Sequence, residues 1–177
     1  MRIHGDGWHL RPAHPDDAAE LARAFVEDPH LAVDWGVDTA PDEDAARESL
    51  GGQADLWRDG EGRHFTIADG GTDLLLGGVN FHRIEPMHAR AEVGFWLAPW
   101  ARGRGIGSAA VRAACEWAFE NWDLNRIEMT TLPDNEGSQA LARKIGFTHE
   151  GLLRQRNFER GKHVDIVMLG VLRGELR

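Results

Sequence analysis

Hydrophobic positions follow two spacings along this chain, and each change of spacing marks a predicted element. Alternating or continuous apolar runs rich in branched and aromatic residues are typical of strands, whereas apolar residues three and four positions apart are typical of helices. The strand pattern occurs at Trp8–Pro12, His64–Ala68, Leu74–Ile84, Ala91–Leu97, Arg126–Thr131, Thr148–Phe158 and His163–Leu172. The helix pattern occurs from His14 to about Asp28, from Pro41 to about Trp57, at Ser108–Asn121 and at Glu136–Ile145, where Gly146 follows.

The order of these elements predicts a mixed α/β (α+β) domain, β-α-α-β-β-β-α-β-α-β-β, with helices on both faces of one sheet. Three strands follow one another between residues 64 and 97 with short Gly/Pro connections, which predicts an antiparallel meander. Residues 34–58 combine two tryptophans with many charges and fit either a mobile flap or a packed pair of helices.

Composition limits the class of protein. The 177 residues predict a single domain over 1–177, and no apolar run approaches the about 18 residues of a membrane span. The start of the chain lacks the apolar segment of a signal peptide, so we expect a cytoplasmic protein. The net charge of −9 argues against nucleic-acid binding and favours a cationic partner. With the single cysteine, Cys115, no internal disulfide forms.

A glycine-rich turn joins the strand at Ala91–Leu97 to the helix at Ser108–Asn121. The first N–H groups of a helix have no partner within it and lie at the positive end of its dipole, so anions bind there. Three glycines let the backbone approach a ligand and adopt a positive φ where needed, and two arginines add fixed positive charge. This turn, Arg102-Gly103-Arg104-Gly105-Ile106-Gly107-Ser108, therefore predicts a pyrophosphate site.

Three glycine motifs bind pyrophosphate groups, and they differ in spacing. A P-loop is excluded, because no glycine of the turn is followed by Gly-Lys at the required distance. Gly105-x-Gly107-x-x-Ala110 fits an alanine-ended dinucleotide motif, although the predicted meander counts against that fold. Arg102-x-x-Gly105-x-Gly107 resembles the acetyl-CoA loop of the GNAT superfamily of N-acetyltransferases.

The resemblance to the GNAT superfamily extends over nearly the whole chain. Similar residues in the family are found at Leu10-Arg11-Pro12 with Asp17-Ala18, Ala91–Leu97, Asn135-x-x-Ser138, Lys144–Phe147, Glu150-Gly151 and Gly161-Lys162. Together they look most like the branch that acetylates ribosomal-protein N-termini. The resemblance implies a GNAT fold with a mostly antiparallel, seven-stranded mixed sheet, and transfer of acetyl from acetyl-CoA to a primary amine.

The resemblance also implies which residues hold acetyl-CoA. Main-chain groups of Phe95, Trp96 and Leu97 would hold the pantetheine, and one N–H there would polarise the thioester carbonyl. The pyrophosphate would lie on the N–H groups of Arg102, Gly103, Arg104, Gly105, Ile106, Gly107 and Ser108. Asn135 would hydrogen-bond the pantetheine amides, cap the following helix, or do both.

Catalytic candidates follow in the same way. The family often uses a tyrosine as proton donor to the departing sulfur, but this chain contains no tyrosine, and the ribosomal branch places a serine there, here Ser138. Some members use a strand glutamate as base where this chain has Asn157. We therefore expect Glu92 as base, its pKa raised by burial, or else as a salt-bridged structural residue. Glu85, His82 and Asp165 are the other candidates.

The remaining reactive residues have structural interpretations. Cys115 lies on the apolar face of its predicted helix and is expected in the core, and the nine histidines show no metal-ligand spacing. Trp35, Trp57 and Trp100 fit either the core or an acceptor groove.

Expected partners are an amine acceptor, such as a protein N-terminus, and a second copy in a homodimer, with no nucleic acid or membrane. The alternative is a catalytically weak acyl-CoA sensor.

Overall fold

The computed structural model describes residues 1–31, 39–159 and 161–177. Within these residues the chain forms eight strands: β1 (Ile3–His4), β2 (Trp8–Pro12), β3 (His64–Asp69), β4 (Leu75–Glu85), β5 (Arg90–Leu97), β6 (Arg126–Thr131), β7 (Thr148–Glu159) and β8 (Lys162–Leu172). The α-helices described are α1 (Ala18–Glu27), α2 (Glu43–Arg58), α3 (Ile106–Asn121) and α4 (Glu136–Lys144). Among the described helices, none is long and apolar enough to cross a membrane.

The predicted α+β architecture is confirmed, with one strand more than the seven expected. The additional strand, β1, is two residues long and pairs antiparallel with β2 through Ile3↔Leu10 and His4↔His9. Two residues are too few to show a hydrophobic period, so the sequence pattern missed this strand. Helix α3 begins at Ile106, two residues before the expected Ser108, because the glycine turn already enters its first turn.

The sheet order is β1-β2-β3-β4-β5-β6-β8-β7. The strands β2, β3 and β4 pair antiparallel, which confirms the expected antiparallel pairing of β3 with β4, the first two strands of the predicted meander. The pair β5–β6 is parallel and its register covers three residues only, Arg90↔Arg126 to Glu92↔Glu128. Strand β8 pairs antiparallel with both β6 and β7. The sheet is therefore mixed and mostly antiparallel.

The chain divides into two compact units, each made of two segments. The first contains residues 1–80 and 95–110, and the second contains residues 81–94 and 111–177. The expectation of a single domain over residues 1–177 stays a prediction.

In the first unit, α1 and α2 pack together around Leu21, Phe25 and Leu50, which are almost fully buried. Asp42 begins α2 by accepting a hydrogen bond from the Ala45 N–H (2.9 Å). Residues 43–58 thus form a helix that packs on α1, as the packed interpretation expects and the flap does not. Residues 32–38, which include Trp35, lie outside the described residues.

A buried ion pair fastens β2 to the start of α1 in the same unit. The Arg11 guanidinium donates to Asp17 through Nη1 (2.8 Å) and Nη2 (2.6 Å), and its Nε donates to Asp73 Oδ1 (2.9 Å). The Arg11 and Asp17 side chains are only 10% and 8% exposed. Asp17 also accepts hydrogen bonds from the His14 N–H and the Thr66 hydroxyl. The Arg11 guanidinium therefore links β2 to the start of α1 and to the turn that carries Asp73.

In the second unit, β4 packs from Phe81 onward against the end of α3. The Phe81 ring meets Trp122 edge to face at 5.2 Å, and Trp122 meets Trp117 in the same way at 5.1 Å. Gly146 follows α4 with φ of 110°, a conformation that suits glycine, and the Phe147 N–H donates to Ala142 O (3.0 Å). The expected glycine end of this helix is confirmed.

Candidate functional site

The residues expected to carry function fall into two sets that belong to different units. The strand segment Phe95–Leu97 and the glycine turn at residues 102–108 lie in the first unit. Glu92, Asn135 and Ser138 lie in the second.

The glycine turn has the backbone conformation that its sequence predicts at two of its three glycines. Gly103 and Gly105 have φ of 73° and 77°. A Cβ added at either position would meet nothing within 4 Å, so glycine is required there for its φ angle and not for space. Gly107 lies inside α3 instead, so the expectation of a left-handed backbone does not extend to it.

The N-terminus of α3 presents main-chain donors. The first hydrogen bond of the helix is donated by the Ala109 N–H to Gly105 O, at 3.4 Å. The N–H groups of Gly105, Ile106, Gly107 and Ser108 therefore precede the helical ladder, at the positive end of a 16-residue helix. This arrangement can bind an anion, as the sequence predicts.

The Arg102 side chain, which the sequence predicts to add positive charge at the anion site, is already bound within the protein. Its Nε and Nη2 donate to Leu97 O at 3.1 and 2.9 Å, and Nη2 also lies 2.5 Å from Asp28 Oδ2. Burial alone would raise the pKa of Asp28, but the bond from Arg102 gives a net lowering. Arg102 therefore joins the turn to the end of β5 and to α1, and its charge is balanced by a carboxylate.

A pair of glycines in β4 lets β5 approach closely. A Cβ at Gly77 would lie 2.3 Å from Trp96 O, and one at Gly78 would lie 2.6 Å from the Trp96 indole nitrogen. Beyond β5, the Ala98 N–H donates to Leu76 O at 2.9 Å. Gly77 and Gly78 thus leave the room that Trp96 and Leu97 occupy, a role that sequence reasoning missed. The signal was a glycine pair inside a strand pattern.

In the second unit, Glu92 is the buried centre of a polar cluster. Its side chain is 6% exposed, and Arg83 Nη1 donates to Oε2 at 2.8 Å. Oε1 accepts a hydrogen bond from the Thr130 hydroxyl and lies 3.5 Å from His82 Nε2. The structure thus brings together two of the base candidates, Glu92 and His82.

The expectation that burial raises the pKa of Glu92 is wrong. Burial by itself acts in that direction, but hydrogen bonds from His82 and Thr130, with the positive charges of His82 and Arg83, lower the pKa to about 2. A carboxylate with this pKa binds a proton poorly near neutral pH. The geometry matches the salt-bridged alternative. The sequence did not reveal that His82 and Arg83 would both contact Glu92, because consecutive residues of a strand are expected on opposite faces.

Asn135 and Ser138 occur together at the start of α4. The Asn135 side-chain oxygen accepts a hydrogen bond from the Ser138 N–H at 3.0 Å, which confirms the capping role. Ser138 is the third residue of the helix and is half-buried.

The other base candidates have their own partners. Glu85 accepts hydrogen bonds from Arg90 at 3.0 and 3.1 Å. Asp165 accepts one from the Gln155 N–H at 2.7 Å, and the Asn157 side chain donates to Glu159 at 3.1 Å. Each of these side chains therefore has a hydrogen-bond partner within the protein.

Cys115 and two tryptophans occupy structural positions. Cys115 is fully buried, and burial raises the pKa of its thiol, so the core interpretation is confirmed. The Trp57 indole N–H donates to His64 O, and that of Trp100 donates to Leu75 O at 3.0 Å. Within the residues that the structure describes, no group of three or more potential ligands could hold a metal.

Comparison with known proteins gives consistent matches. The family model "Acetyltransferase (GNAT) domain" matches residues 8–148. The chain is 31% identical over 166 residues to the "Uncharacterized N-acetyltransferase p20" of Bacillus licheniformis, covering 94% of this chain and 93% of that protein. It is 31% identical over 135 residues to the "Ribosomal-protein-serine acetyltransferase" of Escherichia coli, covering 76% and 74%. The crystal structure of a probable acetyltransferase superposes with a TM-score of 0.86 at 27% identity, covering 99% and 98%.

Proposed function

Because this chain belongs to the GNAT family of acetyltransferases, we propose that it transfers the acetyl group of acetyl-CoA directly to a primary amine, in a ternary complex without a covalent enzyme intermediate. The observation that carries the proposal is the glycine turn, whose two left-handed glycines lead into the free N–H groups of α3. Such a turn suits the pyrophosphate of CoA.

The pantetheine arm binds along β5. The register of β5 with β6 ends at Glu92, so Phe95, Trp96 and Leu97 lie beyond the part of the strand that pairs with β6. Their main-chain groups suit the amides of a pantetheine, and one N–H there polarises the thioester carbonyl. The Asn135 side chain also binds a pantetheine amide, through its NH₂ group, while its oxygen caps α4.

In the transfer step, the amine nitrogen attacks the thioester carbonyl carbon. A C–N bond forms, the C–S bond breaks, the electron pair of that bond goes to the CoA sulfur, and the nitrogen, which attacks as the neutral amine, loses one proton to solvent. The Ser138 hydroxyl gives its proton to the sulfur and regains one from solvent. The chain lacks tyrosine altogether, so a phenol is not available for this role.

The acceptor is an α-amine at a protein N-terminus. A similar protein from Escherichia coli is named a ribosomal-protein-serine acetyltransferase. An amine carries positive charge in solution, and the net charge of −9 on this chain favours its approach.

We expect Ser138→Ala to lower kcat about 100-fold or more, because the leaving sulfur loses its proton donor. The affinity for acetyl-CoA stays unchanged, measured as the rise in melting temperature on adding the cofactor. Ser49→Ala, on the exposed side of α2, is the matched control and keeps full activity.

A Ser138→Ala enzyme with wild-type kcat would contradict the role of Ser138. A wild type that binds acetyl-CoA but transfers nothing to any amine would instead identify an acyl-CoA sensor.

A further inference from the structure

A short linker, residues 98–101, joins the two parts of the first unit that are proposed to hold acetyl-CoA. The segment Phe95–Leu97 at the end of β5 precedes it, and the glycine turn at residues 102–108 follows it. Within the linker, Pro99–Ala101 form one turn of 3-10 helix. The linker therefore sets the spacing between the place for the pantetheine and the place for the pyrophosphate.

The linker is bound to β4 and to α1, which belong to the same unit. Ala98 is fully buried, and its N–H donates to Leu76 O at 2.9 Å. The Trp100 indole N–H donates to Leu75 O at 3.0 Å. The guanidinium of Arg23, on α1, lies 4.3 Å from the centre of the Trp100 ring. The packing of α1 thus bears directly on this linker.

The first residue of the glycine turn, Arg102, reaches back across the linker to the end of β5. Its Nε and Nη2 donate to Leu97 O at 3.1 and 2.9 Å, and Nη2 also contacts Asp28 Oδ2 at 2.5 Å. The Arg102 side chain is 46% exposed, whereas that of Asp28 is 14% exposed. Because water competes for a half-exposed guanidinium, the bond to Leu97 O needs the support of the more buried carboxylate.

Asp28 has the fixed position that such support requires. It directly follows α1, and its main-chain N–H donates to Ala24 O at 2.9 Å. Its side-chain Oδ1 accepts a hydrogen bond from the His30 N–H at 3.0 Å. One carboxylate oxygen thus holds the Asp28 side chain to its own backbone segment, and the other contacts Arg102.

We propose that Asp28 is a positioning residue for acetyl-CoA, which acts through Arg102 to fix the spacing between the pantetheine segment of β5 and the pyrophosphate turn. This inference rests on the proposed function. A ligand that contacts both parts binds more tightly when their spacing is fixed in advance, because less of the protein has to be ordered on binding. Arg102 then serves to connect the two parts, and the main-chain N–H groups of the turn bind the phosphates.

The test begins with Asp28→Ala in the full-length protein, with the affinity for acetyl-CoA measured by titration calorimetry. We expect the Kd and the KM for acetyl-CoA to rise about 10-fold, and kcat at saturating acetyl-CoA to stay unchanged. Asp28→Asn keeps an oxygen for Arg102 and should lose less. Asp55→Ala, at an exposed aspartate 2.7 Å from Arg58 in the same unit, is the matched control and binds as wild type does.

Two variants of Arg102 test whether Asp28 acts through it, with melting temperatures confirming that each protein is folded. Asp28→Ala should weaken binding no further in an Arg102→Ala background, because a positioning residue acts only through the group that it positions. Arg102→Lys keeps the charge but not the planar fork of donors that spans Leu97 O and Asp28. It should therefore weaken binding about as much as Asp28→Ala does, although a phosphate ligand would tolerate lysine.

A wild type that binds acetyl-CoA beside an Asp28→Ala variant of equal or higher affinity would overturn the inference and leave acetyl transfer intact. Higher affinity would show that Asp28 competes with phosphate for Arg102. Equal losses from Asp28→Ala in the wild-type and Arg102→Ala backgrounds would overturn it as well. A wild type that binds no acetyl-CoA would refute the proposed function, and the role of Asp28 with it.

Discussion

Arg11→Ala is expected to lower the free energy of unfolding by about 3–5 kcal/mol, because it leaves the carboxylate of Asp17 buried without its partner. Both side chains are at most 10% exposed, and the guanidinium also holds Asp73 on the turn before β4. Solvent cannot compensate a charge at this depth as it does at the surface. Urea unfolding at neutral pH measures the loss.

The matched control is Arg58→Ala, whose partner Asp55 is 60% exposed. An exposed pair of this kind contributes at most about 0.5 kcal/mol. The double variant Arg11→Met/Asp17→Leu should recover part of the stability that Arg11→Ala loses, because it leaves no unpaired charge. Equal costs for Arg11→Ala and Arg58→Ala would show that the buried network does not stabilise the first unit.

Glu92→Gln is expected to lower the free energy of unfolding by about 3 kcal/mol near neutral pH. The pKa of Glu92 falls from an ordinary 4.5 to about 2 in the folded protein, so folding favours the ionised form. A carboxyl group with a lowered pKa contributes its full stability above its unfolded pKa and loses it as pH falls through the folded pKa. The contribution is therefore complete above about pH 5 and declines toward pH 2.

The measurement compares wild type and Glu92→Gln by urea unfolding at several pH values from neutral downward. The difference between them should shrink as the solution becomes more acidic. Glu116→Gln, at a 41% exposed carboxylate paired with Arg112 within α3, is the control and should cost little at any pH. A difference for Glu92→Gln that stays constant with pH would contradict the lowered pKa.

The sequence predicted the glycine turn well, because its geometry is local. A left-handed φ at Gly103 and Gly105 and a helix that begins within the turn depend on the residues themselves. The same holds for the Asn135 cap and the glycine end of α4. Each follows from backbone conformation and from hydrogen bonds between residues a few positions apart.

Features that depend on distant partners could not be predicted in this way. Arginine is a residue type that binds phosphate well, but the Arg102 side chain forms an ion pair with Asp28, 74 positions earlier in the chain. Glu92 was expected to be either a base with a raised pKa or a salt-bridged structural residue, and the sequence could not decide between them, because one of its hydrogen-bond donors, Thr130, is 38 positions away. The burial of a residue can be predicted from the hydrophobic pattern of the sequence, whereas the residue whose charge balances a buried group cannot.

The irregular backbone at Arg83 shows a second limit of sequence patterns. Alternation along β4 assigns His82 and Arg83 to opposite faces, and only the φ angle reveals that both contact Glu92. Arginine in a left-handed conformation contradicts local preference, so no rule based on residue type finds it. Departures of this kind are expected at functional sites.

The most direct test of acetyl transfer is release of free CoA thiol from acetyl-CoA by the wild-type protein. The acceptors range from ribosomal-protein N-terminal peptides to polyamines, aminoglycosides and amino acids. We expect release that depends on the acceptor, is fastest with an N-terminal peptide, and is accompanied by an acetylated α-amine in the product. No release with any amine, together with no rise in melting temperature on adding acetyl-CoA, would contradict the assignment of this chain as an acetyl-CoA-dependent enzyme.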